Sequence, residues 1–370
     1  MALRVAINGF GRIGRLALRS IMEHQRTGEF EVVAINNSGP GEAIEVADGI
    51  LWLRIPLPMA LDHVNAYALR ESDGWTLIDT GLDTAKTRTL WEAALTGPLA
   101  GLPVRRLIVT HHHPDHVGLA GWFQHHGAEL CMTRTAWLFA RMLMLDEQAL
   151  PSPETLAHWQ GAGMEADILS QRRGERPFNF CDVVHPMPLG FTRLSEGGTI
   201  EMGGRVWDIR FGQGHAPDHA TFWSREGDLV IGGDQLLATI SPNLGVYATE
   251  PGADPVGEWL QSCDALQAHA RDGQLVLPGH KLPFTGLPDR LDQLIVNHHS
   301  ALERLRTHLA EGEKTAAECF PPLFKRRIDA GTYGLALVEA VAHLNHLLAL
   351  GAVTRRRRDA DGAWLWRLAA

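Results

Sequence analysis

The chain has 370 residues and a formal net charge of −9, with 45% hydrophobic and 21% charged residues. This balance is typical of a soluble globular protein with room for more than one domain, and it gives no general reason to expect nucleic acid binding. No run of about 18 apolar residues and no apolar leader with a cleavage site occur, so we expect a cytoplasmic protein without a membrane-spanning helix.

The first 41 residues have the order strand, glycine motif, helix, strand. Residues 4–8 and 31–36 are predicted strands, and Gly9-Phe10-Gly11-Arg12-Ile13-Gly14 opens a helix that runs to about residue 25. In this context Gly-x-Gly-x-x-Gly is a dinucleotide-binding fingerprint. The sequence of residues 5–15 and 32–36 resembles the first βαβ unit of glyceraldehyde-3-phosphate dehydrogenase.

This resemblance ends after about residue 37. Asn37 stands where that family places an acid for the ribose hydroxyls, and neither further alternating strands nor the catalytic cysteine segment follows. One βαβ unit is too small to bury a core or to enclose a dinucleotide. We therefore expect residues 1–41 to be a partial dinucleotide-fold-like appendage that does not bind NAD. The alternative is a non-catalytic NAD-binding or scaffold protein built around residues 1–37.

From residue 42 the pattern becomes rich in β-strands. Predicted strands cover residues 44–46, 50–55, 65–70, 75–78, 104–109 and 129–132, with helices at 84–95 and 118–123. The fourth of these strands ends in Asp79-Thr80-Gly81, which is ordinary turn chemistry when taken alone.

A histidine-rich loop directly follows an apolar run that we predict to be a buried strand. Its sequence is Thr110-His111-His112-His113-Pro114-Asp115-His116. In an extended chain His111 and His113 point to the same side, and the turn favoured by Pro114 brings Asp115 and His116 toward the same space. Imidazole and carboxylate are ligands for zinc and related metals, and four donors within six residues exceed what one tetrahedral ion takes from a single loop. The loop predicts two metal ions; the alternative is a polar surface loop.

Residues 134–198 are predicted to be an inserted helical region. Apolar side chains at helical spacing fill residues 136–145, and further helix and loop follow from 151 to about 173. These helices either form an apolar lid over the metals or pack as core or as the surface of a homodimer. A stripe of methionine and aromatic residues is more often packing.

Three further predicted strands end in side chains that bind metals. They lead into Gly214-His215-Ala216-Pro217-Asp218-His219, Gly232-Gly233-Asp234 and Pro278-Gly279-His280. Each would be an ordinary turn alone. The occurrence of all three motifs, in this order and after the histidine-rich loop, argues against coincidence.

Together these motifs resemble the metallo-β-lactamase superfamily of hydrolases over roughly residues 42–300. The resemblance implies an αββα sandwich with a complete ligand set. The implied ligands are His111, His113 and His215 for the first metal, Asp115, His116 and His280 for the second, and Asp234 as a bridge. It also implies that Asp79 supports the ligand loop and that His219 supports its turn.

Asp234 discriminates within that superfamily. The resemblance implies a cysteine here in true zinc β-lactamases, whereas hydroxyacylglutathione hydrolases, lactonases and RNA-processing members keep the aspartate. We therefore expect a hydroxyacylglutathione hydrolase-like enzyme for a small-molecule ester, thioester or lactone, with a β-lactam less favoured. A metal-bridging hydroxide would attack the carbonyl, with Asp115 and Asp234 as the catalytic carboxylates that orient it. Zn²⁺ is the expected cation, and iron and manganese accept the same ligand mix.

Residues 301–370 are predicted to be a helical tail with a basic edge. Helices at 315–324 and 334–350 precede a run of four arginines at 355–358, a turn at 359–362 and a strand at 364–368. Helices followed by a two-stranded hairpin resemble the winged helix that some superfamily members carry at this end. Residues 314–370 hold nine Lys or Arg against five acids. This edge predicts either a nuclease that holds a phosphodiester backbone there, or a solvated edge of a packing or dimerisation domain.

Overall fold

The structure, a computed structural model, describes residues 3–8, 30–36, 43–59, 61–324 and 327–369, the first two ranges as backbone only. Within these ranges, two β-sheets of seven and five strands pack face to face, and helices cover the outer face of each. Strands that are apolar on both faces must be buried on both sides, which explains the two helical layers. The prediction of an αββα sandwich is confirmed.

The N-terminal segment contributes two described strands. β1 (Leu3–Asn8) and β2 (Phe30–Asn36) pair in parallel, in agreement with the predicted strands at 4–8 and 31–36. The predicted glycine motif, the helix after it and Asn37 lie outside the described residues.

The seven-stranded sheet follows chain order. Its strands are β3 (Ala43–Ala47), β4 (Ile50–Pro56), β5 (His63–Arg70), β6 (Trp75–Ile78), β7 (Val104–Ile108), β8 (Glu129–Thr133) and β9 (Thr192–Leu194). Neighbours are antiparallel from β3 to β6 and parallel from β6 to β9. Parallel neighbours need crossovers: α1 (Ala85–Thr96) connects β6 to β7, α2 (Pro114–Val117) and α3 (Ala120–His125) connect β7 to β8, and the inserted region connects β8 to β9. The carboxyl ends of the parallel strands therefore meet at one edge, where the histidine-rich loop lies.

The inserted region holds three helices. They are α4 (Arg134–Leu145), α5 (Pro153–Gly161) and α6 (Ala166–Arg173). α4 buries Ala136, Ala140 and Met144 against the core beside the seven-stranded sheet. Its other face exposes Leu138, Met142 and Leu145. Of the two predicted roles, α4 thus performs packing with one face, while its Phe139 ring lies 5.1 Å from the His112 ring beside the ligand loop.

The five-stranded sheet supplies the remaining turns. Its strands are β10 (Thr199–Met202), β11 (Arg205–Gly212), β12 (His219–Ser224), β13 (Leu229–Gly233) and β14 (Leu275–Pro278). Neighbours are antiparallel as far as β13, and β14 is parallel to β13 after the crossover helix α7 (Pro255–Gln267). β11, β13 and β14 consequently run in the same direction, so the turns that follow them gather at one edge of the sheet.

The C-terminal part consists of helices and a hairpin. Its elements are α8 (Leu287–Leu309), α9 (Phe320–Leu323), α10 (Tyr333–Ala349), β15 (Val353–Arg357) and β16 (Trp364–Leu368). The helix predicted at 315–324 is only a single 3₁₀ turn, Ala317–Cys319, and the four residues of α9, because Pro321 and Pro322 cannot donate helical hydrogen bonds. The predicted order of helix and hairpin is present, and its likeness to a winged helix remains a prediction.

Three apolar cores hold these layers together. Trp207, Phe222 and Ile108 fill the space between the two sheets, and Trp91 and Phe123 lie under the helices of the seven-stranded sheet. The third core joins α7 to α8, α10 and the hairpin on the outer face of the five-stranded sheet. The C-terminal helices therefore pack directly against the half of the sandwich that carries three of the predicted metal-binding turns. Among the described residues, none of the helices is long and apolar enough to span a membrane.

Candidate metal centre

The seven side chains predicted to bind metals lie together at one edge of the sandwich. The loop between β7 and α2 provides His111 and His113, α2 provides Asp115 and His116, and the turns after β11, β13 and β14 provide His215, Asp234 and His280. His116, Asp234 and His280 are at most 5% exposed. The structure thus brings together positions that are spread from residue 111 to residue 280 of the sequence.

Three imidazole nitrogens converge on one point. His111 Nε2 lies 3.0 Å from His113 Nδ1, which in turn lies 3.0 Å from His215 Nε2. Ligand nitrogens of a tetrahedral zinc ion, each about 2.0–2.1 Å from the metal, are separated by roughly 3.3 Å. The spacing of this first group is close to what one ion would impose.

A second group lies beside it. His280 Nε2 lies 3.3 Å from Asp115 Oδ2, and His116 Nε2 lies 3.7 Å from the same oxygen. Two imidazoles and a carboxylate are a donor set that suits zinc and similar divalent ions.

The Asp234 carboxylate lies between the two groups. Its Oδ2 is 3.4 Å from His215 Nε2 and 3.3 Å from His280 Nε2, while its Oδ1 is 3.4 Å from His116 Nε2. One side chain therefore faces ligands of both groups.

Two buried polar atoms of this centre lack hydrogen-bond partners in the part of the chain that the structure describes, and this indicates that the centre is suited to bind cations. His116 Nε2 and Asp234 Oδ1 are buried and have no hydrogen-bond partner among the described residues. Leaving a buried polar atom without a partner costs about 1–3 kcal/mol, so such atoms in a folded protein call for a ligand. A cation held between the two atoms would satisfy both.

The outer ring nitrogens set the tautomers of four histidines. Nδ1 of His116 donates to Asp79 Oδ2 at 2.8 Å, Nδ1 of His215 to the Asn243 carbonyl at 3.0 Å, and Nδ1 of His280 to the His63 carbonyl at 2.8 Å. His111 Nδ1 lies 3.0 Å from Thr110 Oγ1. When Nδ1 carries the proton, the lone pair of Nε2 is free to bind a metal at the centre.

The electrostatics of the two groups differ. Burial and then the neighbouring imidazoles hold the pKa of His111 and His113 well below the ordinary value, so both rings are neutral. Burial lowers the pKa of His280 as well, but Asp234 and Asp115 outweigh it and raise this pKa to about 10. For Asp234, His280 and His116 overcome the effect of burial and hold the carboxyl pKa well below its usual range. The carboxylate is therefore in the ionised form that binds metals.

Asp79 holds the ligand loop through hydrogen bonds, the role that the superfamily resemblance implies. Its Oδ1 accepts from the Thr110 backbone N–H at 2.9 Å, and its Oδ2 accepts from the Thr110 hydroxyl at 2.9 Å in addition to His116. Asp79 has φ 58, a conformation in which aspartate is one of the few tolerated residues besides glycine.

His219 and Asp218 shape the turn that carries His215. His219 Nε2 accepts from the Asp234 backbone N–H at 3.0 Å, and its ring stacks on His111 at 4.5 Å, which agrees with its predicted supporting role. Asp218 has φ 50, in the left-handed region that glycine adopts most readily. Its Oδ1 accepts from the Gln213 side-chain amide at 2.9 Å.

The carbonyl acceptors of His63 and Asn243 are not predictable from the sequence. Both act through the backbone, so no side-chain type marks them in the sequence.

A family profile described as "Metallo-beta-lactamase superfamily" matches residues 59–306. The chain belongs to the metallo-β-lactamase superfamily. A second profile, "Metallo-beta-lactamase-like, C-terminal domain", matches residues 302–369. As a member of this superfamily, the protein is a metallo-hydrolase whose histidines and aspartates form clusters that could hold divalent metal ions.

Relatives match the superfamily member along most of its length. The probable metallo-hydrolase YqjP of Bacillus subtilis (strain 168) is 25% identical over 312 residues, which is 83% of this chain and 94% of that protein. A beta-lactamase domain protein from Burkholderia ambifaria is 35% identical with a TM-score of 0.81, over 90% of this chain and 94% of its own. A metallo-beta-lactamase family protein from Thermus thermophilus is 29% identical with a TM-score of 0.71, over 88% of this chain and 100% of its own.

The N-terminal segment has a different likeness. The profile "Glyceraldehyde 3-phosphate dehydrogenase, NAD binding domain" matches residues 3–47. The glyceraldehyde-3-phosphate dehydrogenase of Xanthobacter flavus is 64% identical over 42 residues, only 12% of its length. The resemblance predicted for this segment is confirmed, and it covers a small fragment of the dehydrogenase.

Proposed function

We propose that the protein is a dinuclear metal-dependent hydrolase that cleaves an ester, thioester or lactone in a small-molecule substrate. The observation that carries this proposal is the position of Asp234 Oδ2, 3.4 Å from His215 Nε2 and 3.3 Å from His280 Nε2. A buried carboxylate that faces both ligand groups supports two cations held close together, as in hydrolases with two-metal sites.

The residues of the centre have two proposed roles, binding the cations and orienting the attacking water. The proposed ligands are His111, His113 and His215 for the first cation, Asp115, His116 and His280 for the second, and Asp234 for both. When bound, the two cations would supply a water that ionises near neutral pH and positive charge for the developing oxyanion. Asp115 and Asp234, whose carboxylate oxygens each lie 3.3 Å from His280 Nε2, would orient the attacking water by accepting from its O–H groups.

The metal is proposed to be Zn²⁺. Five imidazoles and two carboxylates form a borderline donor set, which zinc accepts readily and which iron and manganese also accept.

The carbonyl substrate class rests on the superfamily resemblance and on Asp234. An aspartate at this position, where the resemblance implies cysteine in zinc β-lactamases, makes a β-lactam the less favoured substrate. YqjP is named as a probable metallo-hydrolase, which agrees with hydrolysis but specifies no substrate.

The arginines of the C-terminal hairpin give little support to the alternative of a nuclease. Arg356 pairs with Glu313 at 3.0 Å and Arg358 with Asp361 at 2.9 Å. Arg355 and Arg357 both stack on Trp364, with the guanidinium carbon of Arg357 3.9 Å from the ring centroid. Because Arg356 and Arg358 already pair with carboxylates, each would have to give up an ion pair to neutralise a phosphate.

The test begins with purified protein whose metals are quantified. Lactone, thioester, β-lactam and phosphodiester substrates are then compared, each with the wild-type enzyme and with the Asp234→Asn variant as the matched control. We expect metal-dependent turnover of a lactone or thioester that the variant loses. Phosphodiester cleavage alone, with a rate that falls steeply as salt rises, would replace this proposal by the nuclease.

A further inference from the structure

The hydrogen bond that orients His215 comes from a segment without secondary structure. His215 Nδ1 donates to the Asn243 carbonyl at 3.0 Å. Asn243 lies between β13 and α7, where residues 238–254 form neither helix nor strand. A carbonyl in such a segment can orient a ligand only if other parts of the protein fix its position.

Helix α10 holds Asn243 from the C-terminal part of the chain. The side-chain amide of Asn243 donates to Glu339 Oε2 at 2.7 Å and to the Leu335 carbonyl at 3.2 Å. The bond to Glu339 has a charged acceptor, and such bonds are roughly twice as strong as neutral ones. Both acceptors lie far along the chain, on a helix that begins at Tyr333.

Other contacts keep the same segment on the C-terminal helices. The Val246 backbone N–H donates to the Val338 carbonyl at 3.1 Å, and Leu244 is fully buried beside it. On α8, Arg290 donates to the Leu237 carbonyl at 2.7 Å and to the Ile240 carbonyl at 2.9 Å. The segment that follows Asp234 is therefore held at several points by helices outside the two sheets.

We infer that α10 positions the metal centre, because Glu339 holds the Asn243 side chain and thereby fixes the carbonyl that orients His215. Glu339 and Asn243 are positioning residues: neither belongs to the groups that could hold a cation, and both act through the imidazole of His215. The inference rests on His215 being a metal ligand, as proposed above. It gives the C-terminal helices a role in cation binding in addition to packing.

The decisive experiment exchanges donor and acceptor within the full-length protein. Asn243→Asp places a carboxylate against the carboxylate of Glu339. In the double variant Asn243→Asp/Glu339→Gln, a glutamine amide can again donate to the new carboxylate. The affinity for Zn²⁺ is measured by competition with a chelator after metal depletion. The absorption spectrum of the Co²⁺-loaded protein reports the ligand field that His215 provides.

We expect Asn243→Asp to weaken binding of the first cation by about 10–100-fold, the usual loss when the hydrogen-bond partner of a metal ligand is disturbed. The double variant should recover most of this loss, so that the two substitutions are strongly non-additive. Should Asn243→Asp fold poorly, Glu339→Ala still removes the side-chain acceptor at a helical position that tolerates alanine, and it should weaken binding about fivefold.

Asn345 on the same helix is the matched control. It is 5% exposed, and its amide donates to the carbonyls of Pro251 at 3.1 Å and Ala253 at 2.9 Å, which lie in the same segment but eight or more residues beyond Asn243, and no hydrogen bond joins it to Asn243 or to a proposed ligand. Asn345→Asp should lower the melting temperature and leave Zn²⁺ affinity unchanged.

Three results would overturn the inference. Wild-type affinity in Asn243→Asp, equal weakening in Asn345→Asp, or no recovery in the double variant would each show that the Glu339–Asn243 pair does not position His215. A wild-type protein that binds no Zn²⁺ would instead defeat the proposed function, and the inference with it.

Discussion

Among the residues that the structure describes, two clusters of buried histidines differ in where their ring nitrogens point, and those of the first converge on a point. At the metal centre, ring nitrogens of His111 and His215 each lie 3.0 Å from Nδ1 of His113, with carboxylates beside them. The second cluster, which we call the tail cluster, comprises His298 on α8 and His343 and His346 on α10, all at most 8% exposed.

The tail cluster uses its rings differently. His298 and His343 stack with centroids 5.6 Å apart, His343 Nδ1 donates to the Glu339 carbonyl at 2.9 Å, and His346 Nδ1 lies 3.0 Å from Asp254. Among the described residues, the groups with metal-binding geometry all belong to the metal centre. Burial of histidines therefore does not make a metal site by itself; the direction of the free nitrogens and the presence of carboxylates between them do.

Among the variants that separate the two clusters, Asp234→Ala is expected to have the largest effect on metal content and turnover. Without the carboxylate that faces both ligand groups, the second cation should be lost. Because a metal ion stabilises the transition state by several kcal/mol, turnover should fall roughly a thousandfold or more. Elemental analysis and steady-state kinetics measure the two losses. The matched control is Asp254→Asn, which removes a carboxylate from the tail cluster and should keep both cations; retained activity in Asp234→Ala would contradict the two-metal scheme.

A smaller effect is expected from Asp79→Asn. An asparagine can still accept from the Thr110 N–H, but its amide nitrogen cannot accept from His116 Nδ1. Zn²⁺ affinity should therefore fall by about 10–100-fold while the fold persists. Chelator competition measures the change. Asp83→Asn is the control, because Asp83 lies on the same connection but pairs with Arg88 at 2.6 Å; if both variants bind Zn²⁺ equally well, Asp79 does not support the loop.

Substitutions in the tail cluster should change how the free energy of unfolding depends on pH and should not change metal content. Burial lowers the pKa of His343 to about 4, in surroundings that also contain His346 and Arg304. The unfolded chain takes up a proton near pH 6.5 and the folded protein only near pH 4. The contribution of neutral His343 to the free energy of unfolding is therefore complete above pH 6.5 and is lost as the pH falls from 6.5 to 4.

His343→Phe removes this titration. In metal-depleted protein, the free energy of unfolding should then fall less steeply between pH 6.5 and 4, by up to about 1.4 kcal/mol per pH unit. Urea unfolding at several pH values measures the slope, and elemental analysis of the loaded variant should match wild type. A loss of metal in His343→Phe would contradict the claim that only the first cluster is needed to bind the cations.

The site was more predictable from the sequence than its surroundings were. The superfamily resemblance, carried by motifs in a fixed order along the sequence, implied both the seven proposed ligands and the supporting role of Asp79. The fold explains why they meet: they follow apolar strands, and strands that run in one direction bring their carboxyl ends together. The carbonyls of His63 and Asn243 were not predictable, because any residue can offer a backbone acceptor and only the folded chain decides which one lies opposite Nδ1.

Several elements of the fold were also not predicted. The 23-residue helix α8 contains histidines and arginines among its leucines, and the strand β12 (His219–Ser224) is buried on both faces, so its residues show no alternation. Their structure depends on tertiary contacts, with Arg290 of α8 bound to the carbonyls after Asp234 as one example. The helix predicted at 315–324 was too long because two prolines interrupt it.

Anomalous diffraction from a crystal of the zinc-loaded protein would locate the cations themselves. We expect two peaks about 3.5–4 Å apart. One should lie within bonding distance of His111, His113 and His215, the other of Asp115, His116 and His280, with the Asp234 carboxylate in contact with both. A single peak, or a second peak away from Asp234, would contradict the two-metal scheme.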